Sequence, residues 1–334
     1  MDLCNLSGLV LMKRALIFGI SGQDGSLLAR HLIELGYEVL GTSRDKEVTS
    51  FRNLVALGIR DKVKLYSASL TDFRSILQVV SECLPDEIYN LAGQSSVGLS
   101  FDQPVETLDS SIFGPLNILE TIRILKLGSR LYNACSSECF GNTVAHANEL
   151  TPFNPRSPYG VGKAAAFWTV ANYRQAYNLF ACSGILFNHD SALRPRRFVT
   201  RKIIAGAADI AERKIDCLRL GNLAVTRDFG WAAEYIEAMH LMLQADTPDD
   251  YVIATGQTNT LESFVCEAFA YFGLDWRQYV EIDQSLFRPN EITHSAGDPS
   301  KAASNLRWKA RVLMADGIRR LADSELQSRH LERK

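Results

Sequence analysis

The sequence predicts an α/β protein, a Rossmann-like doubly wound parallel sheet with a smaller C-terminal α/β lobe, and three observations carry that expectation. Short apolar runs alternate with amphipathic stretches of helical period through the first two thirds of the chain. A loop with three spaced glycines, Gly19-Ile-Ser-Gly22-Gln-Asp-Gly25, joins the first apolar run to the first helical stretch. Beyond about residue 188 the alternation gives way to basic loops, helices and short strands.

Taken in order, residues 15–20 (ALIFGI) read as a strand, 24–36 as a helix ended by Gly36, and 37–42 as a second strand, which completes a βαβ unit. Further strands are expected at 64–67, 87–91, 130–135 and 181–187, with helices at 73–83, 105–126 and 158–177. Helices at 199–212 and 232–244 and a strand at 250–254 follow. The expected organisation is an N-terminal extension over 1–12, a dinucleotide-binding part over 13–187, and a mainly substrate-binding lobe over 188–330. The pattern allows elements to be exchanged between the two parts. No fixed-period repeat or low-complexity linker is present.

Composition excludes several classes. With 334 residues, 46% hydrophobic and 22% charged, the chain is neither collagen-like, coiled-coil nor disordered. A net charge of -2, from 36 basic and 38 acidic residues, creates no broad field for nucleic acid or an anionic membrane, so an anionic ligand must be held by local groups. No stretch approaches the roughly 18 to 20 apolar residues that span a bilayer. The apolar run at 9–12 precedes Lys13 and Arg14, the reverse of a secretory signal. Seven scattered cysteines suit reduced thiols in a cytoplasmic protein, with no disulfide expected. Cys135 and Cys139 form a C-x3-C, but no second pair lies at zinc spacing, so no metal site is expected.

In the glycine loop, Gly19 permits the tight turn, Gly22 lets backbone amides approach a pyrophosphate, and Gly25 allows close packing of helix on strand. The helix amino end then faces the phosphates. At the end of the second strand, Thr42-Ser43-Arg44-Asp45 decides the dinucleotide. Arg44 and the two hydroxyls suit a 2′-phosphate and favour NADP, while Asp45 leaves NAD open.

Tyr159-Gly-Val-Gly-Lys163 places Tyr and Lys at i and i+4, on one helix face. Ser157 is a natural cap and Pro158 suits the first helical position. Such a pair is common on helix surfaces; downstream of a nucleotide loop it reads as catalytic. An ammonium beside the phenol, with an oxidised nicotinamide, is expected to stabilise phenolate, so that Tyr159 removes a hydroxyl proton as hydride leaves the same carbon. Upstream, Ser136 and Glu138 end the strand at 130–135, at the ligand-binding carboxyl edge of the sheet. Ser136 completes a triad with Tyr159 and Lys163. Glu138 is a second acid/base: its carboxylate is placed to take a proton from a carbon acidified by a neighbouring ketone. A simple dehydrogenase or epimerase needs no such group.

These segments resemble the extended short-chain dehydrogenases/reductases, and within them the GDP-mannose 4,6-dehydratase family. The resemblance rests on residues 19–25 (GISGQDG), 89–97 (YNLAGQSSV), 151–163 (TPFNPRSPYGVGK), 184–189 (GILFNH), 198–202 (FVTRK), 227–230 (RDFG), 251–256 (YVIATG) and 288–291 (RPNE). It implies a redox-neutral reaction. NADP takes hydride from C4 of the hexose, Glu138 removes the C5 proton, water leaves from C6, and hydride returns to C6. The product is GDP-4-keto-6-deoxymannose. It also implies that Gln23, Asp24, Leu91 and Ala92 join the three glycines and Arg44 around the cofactor. Asn188, Val199, Lys202, Arg227, Arg288 and Glu291 would hold the GDP part, since cations neutralise a pyrophosphate and a carboxylate accepts from ribose or base. Arg194, Arg196 and Arg197 read instead as surface salt-bridge formers. The resemblance further implies a homodimer through the helices at 105–126 and 158–177, with a tetramer open.

The chain departs from the family pattern in four places. Ser136 stands for a threonine, Asp45 for a second arginine, Ser69 for an aspartate near the adenine, and Asp190 for a glutamate after the Asn-His pair. Two other readings follow from the residues: a related nucleotide-sugar epimerase or reductase, which would not need Glu138, and a non-catalytic NADP sensor, which would not need the full triad.

Overall fold

The computed structural model describes residues 12–332; of the expected N-terminal extension, residues 1–11 lie outside the described residues. The chain runs β1 (Arg14–Phe18), α1 (Gln23–Glu34), β2 (Glu38–Ser43), α2 (Arg52–Ala56), β3 (Val63–Ser67), α3 (Phe73–Cys83), β4 (Glu87–Asn90), α4 (Val97–Asp102) and α5 (Pro104–Ile124). It continues through β5 (Arg130–Ser136), α6 (Pro158–Tyr177), β6 (Ala181–Leu186), β7 (Asn188–Asp190), α7 (Val199–Ala211), β8 (Leu218–Leu220), β9 (Thr226–Trp231) and α8 (Ala232–Gln244). The last elements are β10 (Tyr251–Ile253), β11 (Thr258–Thr260), α9 (Leu261–Tyr271), β12 (Val280–Ile282), α10 (Ser300–Asn305) and α11 (Met314–Glu332).

Seven parallel strands form the central sheet in the order β10-β6-β5-β4-β1-β2-β3. Strand order reverses between β1 and β4, which opens a crevice at their carboxyl ends. Residues 15–18 of β1 are almost fully buried, and the unbroken apolar run reflects cover on both faces. Helices α1 and α8 pack on one face around Leu28, Leu32, Tyr235 and Met239. Helices α3, α5 and α6 cover the other around Ile76, Val80, Ile118 and Val170. Strand β10 and helix α8, both from beyond residue 188, therefore complete the large sheet rather than the small ones.

Two smaller sheets, β11-β9-β7 and β12-β8, lie with α7, α9 and α11 around a separate core of Ile203, Ile204, Phe264, Phe269, Ile318 and Leu321. Helix α11 has no counterpart in the sequence expectations. Its buried stripe includes Glu325 and Arg329, paired at 2.9 Å, and Arg201 and Arg196 converge on the same carboxylate. Arg196 is thus bound to the core of the second lobe through Glu325 at 2.6 Å. Among the described residues, no helix is long and apolar enough to cross a membrane.

The β1–α1 turn brings backbone against backbone. Gly19 adopts φ +85°, and a β-carbon on Gly25 would lie 2.7 Å from Ile20 Cα as well as overlapping the Gly19 carbonyl oxygen. Gly25→Ala is therefore expected to cost about 1–3 kcal/mol, because rigid backbone has to move. Equilibrium denaturant unfolding with an unchanged midpoint would show that the turn relaxes freely.

Candidate active site

Strand β5 delivers Ser136 to the crevice, and a short 3-10 turn, Ser137–Cys139, follows at once. The Glu138 amide donates to Ser136 Oγ at 3.3 Å, which fixes the turn that aims the Glu138 side chain. Helix α6 starts opposite. Ser157 Oγ accepts from the Gly160 amide at 3.1 Å and Pro158 fills the first helical position, as the sequence predicts. Position 160 must be glycine here, because a β-carbon would stand 2.8 Å from the Glu138 carbonyl oxygen. This close seating brings the first turn of α6, and with it Tyr159, onto the strand end. One turn later, Lys163 Nζ donates to Ala134 O at 2.7 Å and lies 5.8 Å from the Tyr159 ring centroid.

The electrostatics follow from burial. The Glu138 carboxyl is pushed above its ordinary range by desolvation, opposed by Arg288 and Arg227 and reinforced by Glu291. Arg288 Nη1 lies 3.9 Å from Glu138 Oε1. Burial also raises the Tyr159 phenol; Ser136 works against the rise, and the Glu138 charge adds to it. The Lys163 ammonium is lowered, again by burial. The lysine by itself therefore does not bring the phenol down, in keeping with the expectation that an oxidised nicotinamide acts with it. One of the three ammonium hydrogens goes to a backbone carbonyl, and a further positive charge in the cleft is required to offset the burial that disfavours phenolate.

The glycine loop lines the same cleft, with Gly19, Gly22, Gln23, Asp24 and Gly25 on its wall. Gly22 is the N-cap of α1 and brings no side-chain acceptor, so the first-turn amides are left for a ligand. Leu91 and Ala92 continue from β4, with the Leu91 amide donating to Phe18 O at 3.0 Å. Gln23 and Asp24 turn their side chains toward β7. Asp24 Oδ2 lies 3.0 Å from His189 Nε2, and Ser191 Oγ donates to Gln23 Oε1 at 2.9 Å. Burial raises the Asp24 carboxyl, but the charge and hydrogen bond of His189 outweigh it and hold the group at about 2. His189 is lowered by burial and raised more strongly by Asp24, with a net upward shift.

At the end of β2, Arg44 is exposed, with Nη1 3.7 Å from Glu106 Oε1. Asp45 spends one carboxylate oxygen on the amides of Glu47 and Val48, at 2.9 and 3.4 Å. Among the described residues, Ser43 Oγ is buried without a hydrogen-bond partner, and Arg52 and Asn53 line the same cleft. Ser69 lines the cleft too, its hydroxyl 3.2 Å from that of Thr71.

Across the crevice, Asn188 sits exposed on β7, Val199 opens α7, and Lys202 Nζ donates to Arg219 O at 2.6 Å. Arg227, on β9, is buried and reaches Glu291 Oε1 at 3.3 Å and Ile292 O at 2.7 Å. Arg288 meets the same Glu291 oxygen at 3.4 Å. Every site residue anticipated from the sequence lines one continuous cleft of about 1570 Å³.

A sequence profile of the GDP-mannose 4,6 dehydratase family matches residues 16–321. GDP-mannose 4,6 dehydratase 2 of Arabidopsis thaliana is 45% identical over 325 residues, covering 94% of this chain and 87% of the relative. The chain belongs to the GDP-mannose 4,6-dehydratase family. Human GDP-mannose 4,6 dehydratase is 40% identical over 339 residues, with 94% of this chain and 91% of that protein covered. Among solved structures, a dTDP-glucose 4,6-dehydratase from Streptomyces venezuelae, determined with NAD bound, superposes with a TM-score of 0.84. It is 19% identical and covers 95% of this chain and 98% of that one. A UDP-glucose 4-epimerase from Thermus thermophilus gives 0.82 at 23% identity, with 94% and 99% covered. Both share the fold.

Within this dehydratase-family fold, sequence reading missed cleft residues whose surroundings only folding reveals. Arg194 is largely buried, 2.9 Å from Asp190 Oδ1, and donates to His189 O at 2.9 Å rather than forming a loose surface pair. Arg197 stacks on Phe198 and also faces the cleft. The run of basic residues at 194–202 was the available signal.

The Asp24–His189 contact has a definite pH dependence. Its Asp24 part is present above the unfolded pKa near 3.8 and is lost as pH falls through about 2. Its His189 part is complete below 6.5 and is lost as pH rises through the elevated folded value. Raising the pH from about 5.5 to about 8.5 should therefore destabilise the wild type more than Asp24→Asn, by on the order of 1 kcal/mol. Parallel denaturant midpoints for the two proteins would refute the coupling.

Proposed function

We propose that this protein converts GDP-mannose to GDP-4-keto-6-deoxymannose, using NADP and releasing water. The observation that carries the reading is a buried carboxylate, Glu138, beside a Ser136–Tyr159–Lys163 triad in a cleft that also holds an uncapped glycine loop. NADP, when bound, supplies the hydride acceptor for C4 and the hydride donor for C6, and its oxidised ring brings positive charge beside the phenol.

The cleft residues fit that cofactor. A glycine-lined turn and the free amides of α1 suit the pyrophosphate. Ser43, with its orphan buried hydroxyl, and the cations Arg44 and Arg52 suit a 2′-phosphate. Asp45, the residue that favours NAD, is engaged in its own turn.

The remaining steps belong to this chain's side chains. Tyr159 takes the C4 hydroxyl proton, Ser136 orients that hydroxyl, and Lys163 holds the tyrosine helix against β5. Glu138, made a stronger base by burial, removes the C5 proton once C4 is a ketone, then gives it to the departing C6 hydroxyl. Arg288 and Arg227 offset part of the burial that disfavours the charged carboxylate. Together with Lys202, Glu291, Asn188 and Val199 they hold the GDP part. Residues 13–187 serve mainly the cofactor, and 188–330, apart from α8 and β10, mainly the substrate. Phe113, Ile124, Val161, Trp168 and Tyr177 on α5 and α6 are large apolar side chains left exposed, which supports a homodimer through these helices.

The test is incubation with GDP-mannose in deuterated water, read by mass spectrometry and NMR. The expected product has lost one water, carries deuterium at C5, and forms without net change in NADP. Glu138→Gln should lower turnover at least about a hundredfold while the protein stays folded. Unaffected turnover in that variant would remove Glu138 from the elimination, and an unchanged sugar with cofactor bound would reject GDP-mannose as substrate.

A further inference from the structure

Two thiols bracket the catalytic turn. Cys135 is the penultimate residue of β5 and Cys139 closes the 3-10 turn, so Ser136 and Glu138 lie between them. Their sulfurs are 3.5 Å apart, and both are buried. Each also reaches a carbonyl of α6: Cys135 Sγ donates to Lys163 O at 3.7 Å and Cys139 Sγ to Gly160 O at 3.8 Å. The pair therefore links the strand end to the turn of helix that carries Tyr159 and Lys163. Cys135 lines the cleft, whereas Cys139 has no exposed surface. Cys135, on the cleft wall, is therefore the thiol that a dissolved oxidant meets first, and burial pushes the Cys139 thiol well above its ordinary range.

We propose that Cys135 and Cys139 are a reversible oxidation site that switches the catalytic turn off. With a peroxide as oxidant, the Cys135 thiol becomes a sulfenic acid as the O–O bond breaks and one water leaves. The Cys139 sulfur then attacks the Cys135 sulfur, its proton leaving with the displaced hydroxyl as a second water, and the disulfide forms. The pair loses two electrons and two protons in all, and the peroxide is reduced to water. Closing the bond requires the sulfurs to approach by about 1.5 Å from their present 3.5 Å, since a disulfide spans roughly 2.05 Å. Both thiol hydrogens are consumed, so Lys163 O and Gly160 O lose these donors. Both the Ser136–Glu138 turn and the seat of α6 are displaced together.

The bridge is detectable without reference to any activity. Trypsin releases residues 131–156 as one peptide that contains both cysteines and no other. The full chain, reduced and desalted, is treated with hydrogen peroxide, denatured, alkylated and digested. The expected peptide is two hydrogens lighter and carries no alkyl group, and dithiothreitol restores its alkylation. GDP-mannose turnover should fall at least about tenfold in step with the bridge and recover with it. Cys135→Ala should keep its turnover within about twofold under the same treatment. Cys139→Ala, which lacks the resolving thiol, should carry an added oxygen on Cys135 in place of the bridge. Full alkylation of both cysteines after peroxide treatment overturns the proposal, as does a bridge that forms with turnover intact. If GDP-mannose is not the substrate, the peptide mass still decides whether the site oxidises.

Discussion

Helix α6 approaches the end of strand β5 more closely than any side chain at position 160 allows, and the layout of the cleft follows from that contact. Gly160 lies against the Glu138 carbonyl, Ser157 caps the helix, and Lys163 fastens its next turn to Ala134 O. A helix held at both turns cannot slide along the sheet. Tyr159 and Lys163, four residues apart, consequently face the same strand end that presents Ser136 and Glu138. Four groups, from β5, the turn that follows it and α6, are brought to one cleft by backbone packing.

The electrostatic character of the site rests on the same burial. A carboxylate, a phenol and an ammonium are crowded into a desolvated space, and each is driven toward its neutral form. Such groups exchange protons readily, which is what alternating acid and base steps require. The charges that oppose the drive toward neutrality at Glu138 are Arg227 and Arg288 on the opposite wall, both of which also contact Glu291. The two walls are joined at one end by Asp24 and His189. Elements far apart in sequence thereby share a single electrostatic environment.

Much of this was legible from residue order. The alternation of apolar runs and helical periods marks every strand of the central sheet, and glycine spacing locates the phosphate turn. Ser157-Pro158 marks the start of α6 because capping and proline preference act locally. What remained hidden depends on contacts between distant segments. Helix α11 buries Glu325 and Arg329, whose pairing with Arg201 no local pattern announces. Arg194 looks like a surface cation until the fold places it beside Asp190. The upward displacement of Tyr159 is hidden for the same reason: spacing shows that Lys163 is near the ring, but not the burial that raises the phenol and lowers the ammonium.

The central claim is that one cleft removes a hydride from the hexose and returns it to the same molecule, with Glu138 acting between the two transfers. GDP-mannose deuterated at C4 tests this most directly. Deuterium should appear at C6 of the 4-keto product, retained within the same molecule when labelled and unlabelled substrates are mixed. Loss of the label to solvent or to released cofactor, or its appearance on molecules that began unlabelled, would contradict it.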